Sequence, residues 1–165
     1  MRRSALRCRL RSRMSVGPRS DSRDISFQES VGGNEQMPTE PIQIYIVDDE
    51  PAVCTAYARL VRSAKMKPRT FCSVADFLSS DFSDENACVI SDVAMPGTSG
   101  LELPSLLARD GHRLPVIFIT AHDTPETREL AQRAGAAAYF RKPVDDQALL
   151  DAIAWALANS PQSPR

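Results

Sequence analysis

From Pro41 onward, short runs of apolar and β-branched residues alternate with longer stretches rich in Ala and Leu, the pattern of βα units laid around a parallel sheet. The short runs predict strands at Gln43 to Val47, Lys67 to Phe71, Ala87 to Ser91, Pro115 to Thr120 and Ala138 to Arg141. The longer stretches predict helices at about Pro51 to Ala64, Val74 to Ser80, Gly100 to Asp110, Pro125 to Ala134 and Asp145 to Ala158. IYIV and VIFIT are nearly unbroken apolar runs, as strands covered on both faces require.

Punctuating residues sharpen this reading. Pro68 cannot donate to a sheet ladder, so the second strand belongs at an edge. An edge second strand is what the flavodoxin-like order 2-1-3-4-5 requires. The predicted fold class is therefore α/β, a doubly wound five-stranded parallel sheet with helices on both faces. Pro51 suits a first helical turn, Thr124 with Pro125 forms a cap followed by a favoured proline, and Gly135 closes the fourth helix. Pro104 lies too deep for a helix capped at Ser99, which predicts a late start or a kink.

Composition adds an asymmetry. The 165 residues, 42% hydrophobic and 25% charged, suit one globular domain and exclude a wholly disordered or collagen-like chain. The formal net charge is only −1, yet residues 1 to 23 hold eight arginines against Asp21 alone, a net of +7 that leaves −8 for the remainder. An acidic body argues against direct DNA binding, because neutralising phosphates needs the opposite sign. Residues 1 to 40 carry few large apolar side chains and no sustained period, so they are predicted to be disordered. The arm fits a basic tail that touches an acidic surface, a targeting peptide, or an upstream extension outside the native product; Met37, just ahead of the first strand, favours the last. The domain is expected over residues 41 to 158, with a disordered tail over 159 to 165.

Cys8, Cys54, Cys72 and Cys88 form no CxxC pair and no zinc-ligand spacing. With no apolar segment after the basic start and no run of about 18 apolar residues, neither a secretory signal nor a membrane span is expected, and the cytoplasm is the expected compartment.

Candidate chemistry sits where the strands end. In an open parallel sheet, ligands bind beyond the carboxyl ends of the strands. There the first strand delivers Asp48, Asp49 and Glu50, the third Asp92, the fourth Thr120 and the fifth Lys142. Each alone has an ordinary explanation as a helix cap, a strand filler or a solvated lysine; four strand ends polar together do not. Clustered carboxylates call for a cation, and an all-oxygen set selects a hard one such as Mg²⁺. Asp92, at the central strand, is then the candidate nucleophile toward a phosphoryl group, with the Ala94 carbonyl as a further metal ligand. Lys142 would neutralise a phosphoryl oxygen and Thr120 would donate a hydrogen bond to another. Neither a Walker loop nor GxGxxG occurs, so nucleotide binding is not supported.

IYIVDDEP, ISDVAMPGTSGLEL, VIFITAH and AGAAAYFRKPV, in this order and spacing, resemble the receiver domains of bacterial two-component response regulators, the CheY-like fold. The resemblance spans Ile42 to Leu157. It implies that Asp92 is phosphorylated by a sensor histidine kinase or a histidine phosphotransfer protein. It implies also that Asp49, Asp92 and the Ala94 carbonyl hold Mg²⁺, with Asp48 assisting through water. Thr120 and Tyr139 match the family's switch residues, Lys142 its phosphate-sensing lysine, and the Lys142–Pro143 bond its usual cis peptide. Ala94 and His122 stand where phosphoryl lifetime is tuned, although His122 also reads as a solvated loop residue. Such a protein catalyses its own phosphorylation and autodephosphorylation and is not a turnover enzyme. With only ANSPQSPR after Leu157, a stand-alone receiver is expected, acting on a partner protein or a second receiver. The face of the fourth helix, fifth strand and fifth helix, around Ala131, Tyr139 and Ala148, is the expected docking surface. The alternative is a phosphorylation-independent interaction module with the same fold, which the complete acidic set disfavours. A phosphatase acting through Asp92 would lack a second acid two residues on.

Overall fold

The computed structural model describes residues 40–160. The basic arm, up to residue 39, and the tail from residue 161 lie outside the described residues. Five strands alternate with five helices: β1 Gln43–Val47, α1 Pro51–Ser63, β2 Lys67–Phe71, α2 Val74–Leu78, β3 Ala87–Asp92, α3 Leu103–Arg109, β4 Val116–Thr120, α4 Pro125–Arg133, β5 Ala138–Arg141 and α5 Asp146–Ala158. All pairings are parallel, in the order β2-β1-β3-β4-β5. The predicted topology is thus observed, with Pro68 on the edge strand β2, where its missing N–H costs no ladder bond to a second neighbour.

Strand alternation sorts the core into two layers. Ile44, Ile46, Cys88, Ile90, Ile117 and Ile119 pack under α1 and α5, against Cys54, Ala58, Val61, Leu149, Ile153 and Ala156. Tyr45, Val47, Val89, Val116 and Phe118 pack on the opposite side against Val74, Phe77, Leu103, Leu107 and Ala131 of α2, α3 and α4. Both faces are covered, so the strands read as continuous apolar runs.

The ends of the elements follow local chemistry. Pro51 opens α1, the Thr124 hydroxyl accepts from Thr127 N–H at the start of α4, and Gly135 leaves that helix at a φ of 82°. Asp145, expected to be the first residue of the last helix, is its cap and accepts from Ala148 N–H at 2.9 Å. β3 runs one residue further than predicted, to Asp92, and β4 starts one later, because Pro115 offers only a carbonyl, which accepts from Val89. The single helix expected over Gly100 to Asp110 is divided. Ser99 caps a 3₁₀ turn, Gly100–Glu102, in which Leu103 N–H takes the Gly100 carbonyl; Pro104, which cannot donate to that carbonyl, then occupies the first turn of α3. The Lys142–Pro143 bond is cis.

Candidate functional site

Register brings the polar strand ends together. Val47 pairs with Ser91, so Asp48 and Asp92 are the next residues on adjacent strands; Asp92 pairs with Ile119, and Thr120 with Arg141. Alternation then divides them. Asp48 and Asp92 continue the side of Ile46 and Ile90, and Lys142 continues that of Ala138 and Phe140. Thr120 and Tyr139 continue the side of Phe118, toward α4.

On the first side an acidic cluster forms. Asp48 and Asp92 are buried, Asp49 is exposed, and one carboxylate oxygen of each lies within 4.8 Å of the others. Lys142 Nζ donates to Asp48 Oδ2 at 2.7 Å and to Asp92 Oδ2 at 3.3 Å. Asp48 Oδ1 also accepts from Glu50 N–H, and Asp92 Oδ1 from Ala94 N–H. Burial pushes the Asp92 carboxyl above its usual range; Lys142 opposes this and Asp48 reinforces it. Burial pulls Lys142 down, but its hydrogen bond to Asp48 and the charge of Asp92 outweigh that, leaving it above the ordinary lysine value. One ammonium therefore faces three carboxylates, an excess of negative charge in partial burial that a hard divalent cation would offset.

On the second side Thr120, fully buried, is held by the following loop: His122 N–H donates to Thr120 Oγ1 at 3.1 Å. The side chain of His122 is exposed, so its structural hold on the site runs through its backbone. Tyr139 is part-buried, and its hydroxyl donates to Asp123 Oδ1 at 3.2 Å. Thus Asp48, Asp49, Asp92 and Lys142 meet directly, whereas Thr120 and Tyr139 have their hydroxyls bound by the β4–α4 loop. Ala94 is exposed two residues beyond Asp92. Ala131, expected on the α4, β5 and α5 face, is fully buried beneath it as a core residue; Tyr139 and Ala148 are part-exposed.

Two residues of the site escaped the sequence reading. Asp123 binds Tyr139 and, through its carboxylate, the Arg128 guanidinium. Gly100 lies so close to β3 that a Cβ there would fall 1.9 Å from the Asp92 carbonyl oxygen. The glycine inside a capped segment was the available signal for the second; nothing in the sequence marked the first.

Residues 44–154 match the family model described as response regulator receiver domain. The chain belongs to the response regulator receiver family. The receiver is 39% identical over 115 residues to the transcriptional regulatory protein TdiR of Thauera aromatica, an overlap of 70% of this chain and 51% of that protein. A solved response regulator receiver protein from Burkholderia phymatum superposes with a TM-score of 0.62 at 40% identity, covering 74% of this chain and 99% of that one. The crystal structure of FixJ-N gives a TM-score of 0.66 at 28% identity over 73% of this chain and 97% of that one. The receiver spans between 51% and 60% of the length of the curated relatives TdiR, TmoT and FixJ. Expectations of a stand-alone protein and of no DNA binding draw no support from relatives of that length, two of them named transcriptional regulatory proteins. Among the described residues no helix is long and apolar enough to cross a membrane, and Cys54, Cys72 and Cys88 are free.

Receiver domains typically bind Mg²⁺, and the donors present here fit: three carboxylates with no thiol or imidazole among them.

Proposed function

We propose that this receiver is a phosphorylation-driven switch in two-component signalling, with Asp92 as the acceptor. The donor is the phosphohistidine of a sensor histidine kinase or a histidine phosphotransfer protein. An Asp92 carboxylate oxygen attacks phosphorus, the P–N bond breaks, and the imidazole leaves with that electron pair and takes up a proton. The supporting observation is the placement of Asp92, buried and at the same time within reach of Lys142 Nζ and of both other carboxylates.

Asp48, Asp49, Asp92 and the Ala94 carbonyl are the proposed holders of Mg²⁺, which when bound offsets the charge of the carboxylates and of the transferred group. Lys142 neutralises one phosphoryl oxygen. Thr120 leaves its loop partner to donate to another, and Tyr139 responds to the space this opens. Ala94 and His122 set the access of water, and so the lifetime of the phosphoryl group. The altered α4, β5 and α5 face then meets a protein partner or a second receiver. Residues 41 to 158 carry 16 Asp and Glu against 11 Lys and Arg, a net of −5 that makes a phosphate backbone an unfavourable partner for the domain itself, so a transcriptional output, as in the named relatives, would act through a separate element. We assign this activity to the cytoplasm, where such thiols stay reduced.

Incubation with acetyl phosphate and Mg²⁺, followed by mass spectrometry of the intact and digested chain, tests the reading. One added phosphoryl group on Asp92 and none on Asp92→Asn is expected. No uptake by the unaltered protein, or equal uptake by the variant, would overturn it.

A further inference from the structure

The β4–α4 loop binds both residues on the α4 side of the sheet through consecutive positions. His122 N–H holds Thr120 Oγ1, and the Asp123 carboxylate holds the Tyr139 hydroxyl. Asp123 is itself clamped. Arg128 Nε donates to Asp123 Oδ1 at 2.6 Å and Nη2 donates to Oδ2, a two-point grip that fixes the plane of the carboxylate. The grip starts from firm ground, since Arg128 N–H bonds the Thr124 carbonyl within the first turn of α4, and Thr124 caps that turn. The Asp123 side chain is only 6% exposed although Arg128 is 65% exposed, so the outer guanidinium covers an inner carboxylate. The hydrogen bond to Arg128 keeps the Asp123 carboxyl below the usual carboxylate range, an ionised acceptor at neutral pH.

We propose that Asp123, oriented by Arg128, is a positioning residue that latches Tyr139 in the resting conformation of the receiver. This rests on the proposal that Tyr139 moves when Asp92 is phosphorylated. Moving the ring breaks a hydrogen bond to a charged acceptor, so the latch weights the equilibrium toward the resting state and sets how much of the phosphoryl interaction is spent in leaving it. Arg128 and Tyr139 also wall one cavity of about 290 Å³, with Gln132, Ala136 and Ala138. Release of the latch therefore reshapes a surface recess as well as a side chain.

The test uses beryllofluoride with Mg²⁺ as the phosphoryl mimic and calorimetry as the readout. Asp123→Ala is expected to bind it about tenfold more tightly, because a resting state weakened by about 1.4 kcal/mol is tenfold easier to leave. Arg128→Ala should move the same way, by less. In a Tyr139→Phe background, where no hydroxyl remains to latch, the gain from Asp123→Ala should vanish. An unchanged or weaker affinity in a variant that melts as a folded protein, or a gain that persists without the hydroxyl, would overturn the latch. Aromatic NMR signals of Tyr139 in the unloaded protein give a separate reading. They should shift in Asp123→Ala, and a ring environment identical to the parent's would also reject the latch. If the parent protein binds no beryllofluoride, the phosphorylation proposal fails and the NMR comparison alone decides the latch.

Discussion

Lys142 Nζ is closer to Asp48 Oδ2, at 2.7 Å, than to the Asp92 oxygen it also meets. In this structure the lysine is therefore chiefly the counter-ion of Asp48, and in the proposed mechanism it must share or shift that contact to serve a phosphoryl group on Asp92. Replacing Lys142 by Met keeps the stem and removes the charge, leaving two buried carboxylates uncompensated. A loss of about 2 kcal/mol at pH 7 without Mg²⁺ is expected, below the value for a fully buried pair because the lysine is partly solvated. The folded lysine titrates above its unfolded value, so its contribution is fully present below about pH 10.5 and is lost only as pH rises through the folded pKa. Urea denaturation of both proteins at pH 7 checks this; equal midpoints would show that the pair does not support the fold.

Asp92 has a linkage of the same sign, set in the acid range. Its folded carboxyl titrates above the ordinary value of 3.8, chiefly through burial, so the fold binds its proton more tightly than the unfolded chain does. Stability from this group is then present at low pH and is lost as pH rises through the folded pKa. Asp92→Asn, measured without Mg²⁺, is expected to be more stable than the parent at pH 7 by on the order of 1 kcal/mol, with the difference closing toward pH 4. A variant less stable than the parent at pH 7 would mean that attraction to Lys142 exceeds burial and the repulsion from Asp48.

Asp49 separates metal binding from folding. It is exposed and belongs to the three-carboxylate group, so Asp49→Ala removes a proposed Mg²⁺ ligand without opening the core. Mg²⁺ affinity should fall at least tenfold while the melting temperature without Mg²⁺ stays within a degree or two. Calorimetric titration decides, and unchanged affinity would remove Asp49 from the ligand set.

The architecture was legible because its signals are local. Runs such as VIFIT can be covered only from both sides, Pro68 can sit only at an edge, and each polar strand end stands out against the apolar run before it. What stayed hidden depends on where chains approach one another. Ala131 reads as an ordinary helix position and becomes core only because α4 lies over Phe118 and Val116. Asp123 precedes a capped helix, where an acid needs no explanation, and gains a role only when β5 brings the Tyr139 hydroxyl to it. Thr120 ends β4 and Lys142 directly follows β5, yet alternation sends them to different sides of the sheet, a division visible only once their registers are known.

Gly100 shows how a backbone approach holds the site. After β3 the chain turns back on itself: Gly100 N–H and the Ser99 hydroxyl both donate to the Val93 carbonyl, at 3.2 and 3.1 Å. This draws the start of the 3₁₀ turn against the strand end, and a Cβ at Gly100 would stand 1.9 Å from the Asp92 carbonyl oxygen and 2.7 Å from Ser91 Oγ. Neither neighbour is a flexible side-chain tip; one is strand backbone and the other is fully buried, so the strand end itself would have to shift. Gly100→Ala is expected to cost about 2–3 kcal/mol in urea denaturation and, because Asp92 moves with its own backbone, to weaken Mg²⁺ binding as well. Gly111→Ala is the control. Gly111 has a φ of 84° but no atom near its missing Cβ, so alanine there should cost only about 1 kcal/mol through backbone conformation and leave Mg²⁺ affinity unchanged. Equal losses for the two variants, with Mg²⁺ binding intact in both, would show that the approach of Gly100 to Asp92 does not govern the position of the carboxylate.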